Sequence, residues 1–166
     1  MKHHKIYSIL LLMSLMAVSC QQPSNDSGQS VKGPDQEEVL FHPSHEPQKK
    51  GVPFSDAVQV GNIYFLSGQI GMDHSVRELV IGGVEAETRQ ALVNIKSVLA
   101  HHGLEMKDVV KATVILADID DFGAFNGVYR KYFPQKPART TFAASGLARG
   151  AKVEIEVVAV NSKGSR

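Results

Sequence analysis

The sequence predicts an α+β domain in which one β-sheet is covered on a single face by two helices. Three observations predict it. The run 152–160 alternates, with Val153, Ile155 and Val157 on one face and Glu154 and Glu156 on the other, the period of a half-buried strand. The run 109–117 is β-branched and apolar throughout, as expected of a central strand. Only two segments, 84–102 and 122–133, place apolar residues at helical spacing, and two helices can cover only one face of a sheet. The apolar strands make burial of the other face by oligomerisation the better expectation.

In chain order, residues 57–67 read as two short strands around a Gly61-Asn62 turn, a hairpin pattern. Residues 68–71 (Gly-Gln-Ile-Gly) break the run at positions where a backbone or ligand can approach closely. Leu79-Val80-Ile81 is a third candidate strand, ended by Gly82-Gly83. Val84, Ala91, Leu92, Ile95, Val98 and Leu99 mark the first helix, and Gly103 stops it. His101 and His102 then favour the negative end of the helix dipole. The second helix follows the N-capping aspartates of 118–121, carries Phe122, Phe125, Tyr129 and Phe133, and halts at Pro134. Residues 137–144 and 152–160 close the domain, giving the order β-β-β-α-β-α-β-β. The seven-residue connection between these last two strands suits neighbours in one sheet. That would put Arg139 and a carboxylate of the last strand in one groove.

Composition excludes some functions. The chain has 166 residues, is 43% hydrophobic and 21% charged, and carries a formal net charge of +1. This leaves no basic patch for nucleic acid, so none is expected as a partner. His42 and His45 are a pair at ligand spacing but lack cysteine support, so no metal site is expected. The single cysteine, Cys20, permits no intramolecular disulfide. It follows a basic start (Lys2, Lys5), an apolar run over 6–18 and small residues, the layout of an export signal. Residues 17–20 (Ala-Val-Ser-Cys) resemble the lipobox of bacterial lipoproteins, in which the cysteine is lipidated; the alternative is an ordinary cleaved signal. The expected division is a signal peptide over 1–19, lipidated Cys20 with a polar tether to residue 50, and a folded domain over 51–166. The expected location is exported and membrane-anchored through the N-terminal lipid only.

Four motifs carry a family resemblance: Ser67-Gly68-Gln69, Asn126 within the second helix, Pro137-Ala138-Arg139 and Val153-Glu154-Ile155-Glu156, with 14 residues between Arg139 and Glu154. In this order and spacing they resemble the Rid (YjgF/L-PSP) family of reactive-intermediate imine deaminases, over essentially the whole of 51–160. The resemblance implies a chorismate-mutase-like fold, assembled as a homotrimeric barrel with sites in the clefts between subunits. It implies that Arg139 binds the carboxylate of a 2-imino acid and that Glu154 positions the attacking water. Ser67, Gly68, Asn126 and backbone groups near Thr141 would complete the pocket, and no cofactor is implied. The products would be a 2-oxo acid and ammonia. Phe54 stands where many of the family's deaminases have tyrosine, and Thr141 where cysteine is common.

Two other readings use the same motifs. The cleft would capture a small carboxylate or a partner protein without turnover, or act as an endoribonuclease, which the near-neutral charge disfavours. Arg139 as a surface salt-bridge partner and Glu154 as a solvated strand residue are the structural alternatives.

Overall fold

The computed structural model describes residues 38–49 and 51–162. These lie within one compact unit, Gln36–Arg166. The expected signal peptide and Cys20 fall outside the described residues.

The strands are β1 (Val39–His42), β2 (Ala57–Val60), β3 (Ile63–Ile70), β4 (Met72–Asp73), β5 (Glu78–Leu79), β6 (Val109–Leu116), β7 (Ala138–Ala143) and β8 (Val153–Val160). The helices are α1 (Gly83–His101) and α2 (Phe122–Tyr132). Six strands form one sheet in the order β1-β2-β3-β8-β6-β7, and β4 and β5 pair as a separate ribbon. The sheet is mixed. β6 and β7 run parallel, joined through α2, and the other neighbours are antiparallel.

Alternation decides which face meets the helices. Val153, Ile155, Val157 and Ala159 of β8 are buried, as are Ala112, Val114 and Leu116 beside them on β6. Leu92, Ile95, Val98 and Leu99 of α1 and Phe125 and Val128 of α2 pack into the same core. The opposite face of the sheet leaves Phe65 47% and Phe142 46% exposed in the single chain. At the end of α1 the N–H of Leu104 reaches Leu99 O (2.9 Å) and that of Gly103 reaches Ala100 O (3.0 Å). Gly103 sits at φ 72°, so the sequence's stop signal is a glycine-dependent C-cap.

Three expectations are corrected. The strands at 137–144 and 152–160 are not neighbours: β6 lies between them. A parallel β6–β7 pair needs a crossover, and α2 supplies it, which sends β7 to the sheet edge. Leu79 does not join the main sheet, because only Met72 and Asp73 pair with Leu79 and Glu78. The folded domain also includes residues before 51, since Val39–His42 pair in register with Val60–Ala57.

Histidine packing holds that N-terminal segment. The His42 ring lies 4.5 Å from His102, and His45 stacks on His101 at 4.9 Å. Lys49 pairs with Asp56, which is 2% exposed. Burial alone would raise the Asp56 carboxyl, but hydrogen bonds from Lys49 and Ser44 and the Lys49 charge bring it below the usual range.

Gly71 marks the closest approach of α1 to the end of β3. A Cβ there would overlap Glu87 Cβ and lie 2.5 Å from Glu87 Cα. Glu87 is itself buried, and its Oε2 accepts the Lys152 backbone N–H at 2.7 Å. Because the obstacle is backbone, Gly71→Ala is expected to destabilise the domain by about 3 kcal/mol or more, read as a lower urea midpoint at unchanged slope. An unchanged midpoint would mean that α1 can shift without loss of packing.

Candidate functional site

The site is built as two separate halves. The first lies on the helix side of edge strand β7. Arg139 pairs in register with the fully buried Ala112, so it projects toward α2. There its guanidinium lies 4.8 Å from the Tyr129 ring centroid and 5.5 Å from those of Phe122 and Phe125. Arg139 Nη1 donates to Asn126 Oδ1 at 2.8 Å. Helical spacing explains the cradle: residues 122, 125, 126 and 129 fall on one side of α2. Among the described residues Arg139 makes no ion pair. Aromatic faces and one amide hold the charge in place without neutralising it, which leaves fork donors for a ligand carboxylate.

A cleft of about 610 Å³ opens here, lined by Arg139, Asn126, Tyr129, Phe133 and Lys136 among others. The buried Tyr129 hydroxyl and Thr141 Oγ1, on the same face, have no hydrogen-bond partner among the described residues. Burial raises the Tyr129 phenol and the Arg139 charge opposes it, so the hydroxyl stays protonated and able to donate.

The second half lies on the opposite face. Glu154 pairs with Ile115 on one side and Ile70 on the other, both pointing away from the helices. Between Leu66 and Gln69 the β3–β8 register slips, so Ser67 and Gly68 form a bulge opposite β8. The Glu154 carboxyl fills the space over Gly68, where a Cβ would overlap Oε1 and lie 2.9 Å from Cδ. Burial, then the neighbouring Glu156 charge, raises the Glu154 carboxyl above its ordinary range. Ser67 Oγ donates to Ser55 O at 2.6 Å, fixing the bulge to the segment before β2. Ser67 also lines a second cleft, with Phe54 and Phe41.

The expected residues therefore separate into Arg139, Asn126 and Thr141 on one face, and Glu154, Gly68, Ser67 and Phe54 on the other. Arg139 and Glu154 do not share a groove within one chain. The reason is register: their β6 neighbours, Ala112 and Ile115, are an odd number of residues apart and so face opposite ways. Sequence reasoning missed Phe122, Phe125 and Tyr129 as site residues, treating them only as helix markers. Their shared face with Asn126 was the available signal.

The model of the endoribonuclease L-PSP family matches residues 44–161. This chain belongs to that family. It is 49% identical over 109 residues to a 2-iminobutanoate/2-iminopropanoate deaminase of Capra hircus, an overlap of 65% of this chain and 80% of that one. Among solved structures it is similar to yeast YEO7 (35% identity, TM-score 0.70), covering 75% of this chain and 99% of that chain. It is also similar to E. coli TdcF with bound serine (30% identity, TM-score 0.64), covering 76% and 98%. The sheet of this L-PSP member, with two helices on one face, is the mixed α+β arrangement the sequence predicts.

Proposed function

We propose that this protein hydrolyses reactive 2-imino acids to 2-oxo acids and ammonia, in clefts that form where one copy meets another. The observation that carries the reading is the pairing of an un-neutralised, pre-oriented Arg139 with a desolvated Glu154 on the opposite face. Neither half suffices alone. A second copy that brings its β7 edge against the bulge of the first unites them, and the exposed Phe65 and Phe142 supply apolar surface for such contact. We infer a homotrimer, in which every copy gives one half to each of two sites.

The chemistry follows from the groups. Arg139 holds the substrate carboxylate in a two-point fork, and Asn126 keeps the guanidinium in plane. Glu154 accepts a proton from a water, whose oxygen adds to the electrophilic C2 of the protonated imine. The proton then passes to nitrogen, the C–N bond breaks to release ammonia, and the hydroxyl proton passes to that ammonia as the carbonyl of the 2-oxo acid forms. A carboxyl raised toward neutrality suits a group that must take up and return a proton in one cycle. The goat relative's activity and the serine bound to TdcF both support a small amino-acid-derived substrate. Cys20 is inferred to carry the lipid that anchors the exported chain.

The test is ammonia release by the purified full-length protein from 2-imino acids generated in situ by an amino-acid oxidase. A rate above spontaneous hydrolysis is expected. Saturable binding of 2-oxo acids with no acceleration would instead favour the non-catalytic reading that Phe54, in place of tyrosine, motivates. Membranes from cells making the full-length protein test the anchor, which predicts release by detergent and not by salt.

A further inference from the structure

Glu154 is held unequally by its two neighbouring strands. On the β6 side it pairs with Ile115 within a continuous run of rungs from Lys111 to Leu116. On the β3 side, where its carboxyl rests over Gly68, only two rungs lie beyond the bulge, Gln69–Ile155 and Ile70–Glu154. β3 then ends at Ile70, and β8 is entered from residues 144–150, most of them exposed. A two-rung island between a bulge and a strand end has little pairing of its own to fix it.

Two buried polar side chains of α1 supply that fixation. Glu87 and Asn94 are seven residues apart, on one side of the helix, and each is 5% exposed. Asn94 Nδ2 donates to Ile70 O at 3.2 Å and to Met72 O at 2.9 Å. Its Oδ1 accepts from Gln90 Nε2 at 2.9 Å, which sets the amide's orientation. Glu87 packs against Gly71, the residue after Ile70, and its Oε2 accepts the Lys152 N–H at 2.7 Å. The Lys152 carbonyl in turn accepts the Ala117 N–H at 3.0 Å, beyond the end of β6. One side chain thus grips the chain just past Ile70 and the chain two residues before Glu154. A buried carboxylate that gave up this donor would lose its compensation for leaving water, so the grip resists displacement.

We propose that Glu87 is a positioning residue of the deaminase, acting through the Lys152 amide and Gly71 to hold the Ile70–Glu154 rung so that the Glu154 carboxyl stays over Gly68. This role rests on the imine-deaminase reading and adds to it a residue on the helix side of the sheet. Glu87 itself meets no substrate, because Glu154 and its water lie on the opposite face. The substrate carboxylate belongs to Arg139, in the other half of the site. Loosening the rung should therefore slow the attack of water and leave substrate affinity in place, a loss in kcat without a rise in KM.

The experiment uses the full-length protein, Glu87→Asp and Glu87→Gln, with the imine made in situ from alanine and with pyruvate binding by calorimetry. Aspartate keeps the charge but is one methylene too short to reach Lys152, whereas glutamine keeps an acceptor oxygen of the same reach. Folded Glu87→Asp is expected to lose at least about tenfold in kcat, with KM and the pyruvate Kd within about threefold of wild type. Glu87→Gln should stay within about threefold in all three. A kcat retained in Glu87→Asp, or a KM that rises as kcat falls, would overturn the proposal and leave the deaminase reading standing. Asn94→Ala frees the same rung without touching Glu87 and decides the matter if Glu87→Asp does not fold: the same kcat loss is expected, and none rejects the clamp. Carboxyl carbon NMR of Glu154 (assigned with Glu154→Gln) gives a readout independent of turnover. Its titration lies above the ordinary glutamate range because it is buried, so it should move down in Glu87→Asp and stay in place in Glu87→Gln. If wild type turns over no imine, the deaminase reading fails by itself, and a Glu154 titration unmoved in Glu87→Asp would reject the positioning role separately.

Discussion

Arg139→Ala is expected to remove turnover and leave the fold in place. The side chain makes one hydrogen bond, to Asn126, and rests on three aromatic rings, with no ion pair among the described residues. Its loss therefore strands no buried carboxylate. The stability cost is limited to cation–π contacts, each about 0.5–1 kcal/mol at an accessible site. The kinetic cost is larger, because the fork supplies both the charge that binds the substrate carboxylate and the orientation that sets C2 toward the water. Losing both is expected to cost more than about 3 kcal/mol in kcat/KM, beyond a hundredfold. Arg139→Lys keeps a charge but not the planar fork or the fit to the rings, so it should recover little. Ammonia release, thermal melting and sizing of the same samples separate these effects. Activity within tenfold of wild type in a folded Arg139→Ala variant would sink the carboxylate-clamp role.

How much of this was legible in the sequence depended on whether the signal was local. α1, α2, the hairpin at Gly61-Asn62 and strands β6 and β8 each announce themselves through periodicity, a turn pair or a stop residue, so they were found within a few residues. β1 was not, because Val-Leu-Phe-His is too short to show alternation and is embedded in polar sequence; only pairing with β2 makes it a strand. The order of strands is likewise non-local. A short connection between residues 144 and 152 suggests neighbouring strands, yet β6 lies between the two and β3 takes the other side of β8. The site was readable as a set of residues, through its ordered motifs, but not as an arrangement. Which face Arg139 takes depends on its register against β6, and nothing within four residues of it encodes that. The aromatic cradle was hidden for a different reason: Phe125 and Tyr129 serve the core and the site together, and core duty alone accounts for their spacing.

Gly68→Ala is the second variant expected to lose activity, by a route unlike that of Gly71→Ala three residues away. The added methyl at Gly68 would meet the Glu154 carboxyl, the free end of a side chain, so the conflict is relieved by the carboxyl swinging aside. At Gly71 it meets the α1 backbone, which cannot yield so cheaply. The first should preserve the melting temperature within a few degrees and the second should not. Displacing Glu154 removes the oriented water, and a shift of about 1 Å in a catalytic group can cost about a hundredfold. Glu154→Gln should lose at least as much, and adding Gly68→Ala to it should cost little more, because both act through one carboxyl. Acidity gives an independent check. The carboxyl must be ionised to accept a proton, and burial with the Glu156 charge raises its titration, so kcat/KM should fall with decreasing pH starting above the range of an ordinary glutamate. Glu156→Gln removes one of the two raising effects and should move that limb toward lower pH without erasing activity. A limb that stays fixed in Glu156→Gln, or full activity in Gly68→Ala, would place the proton acceptor elsewhere.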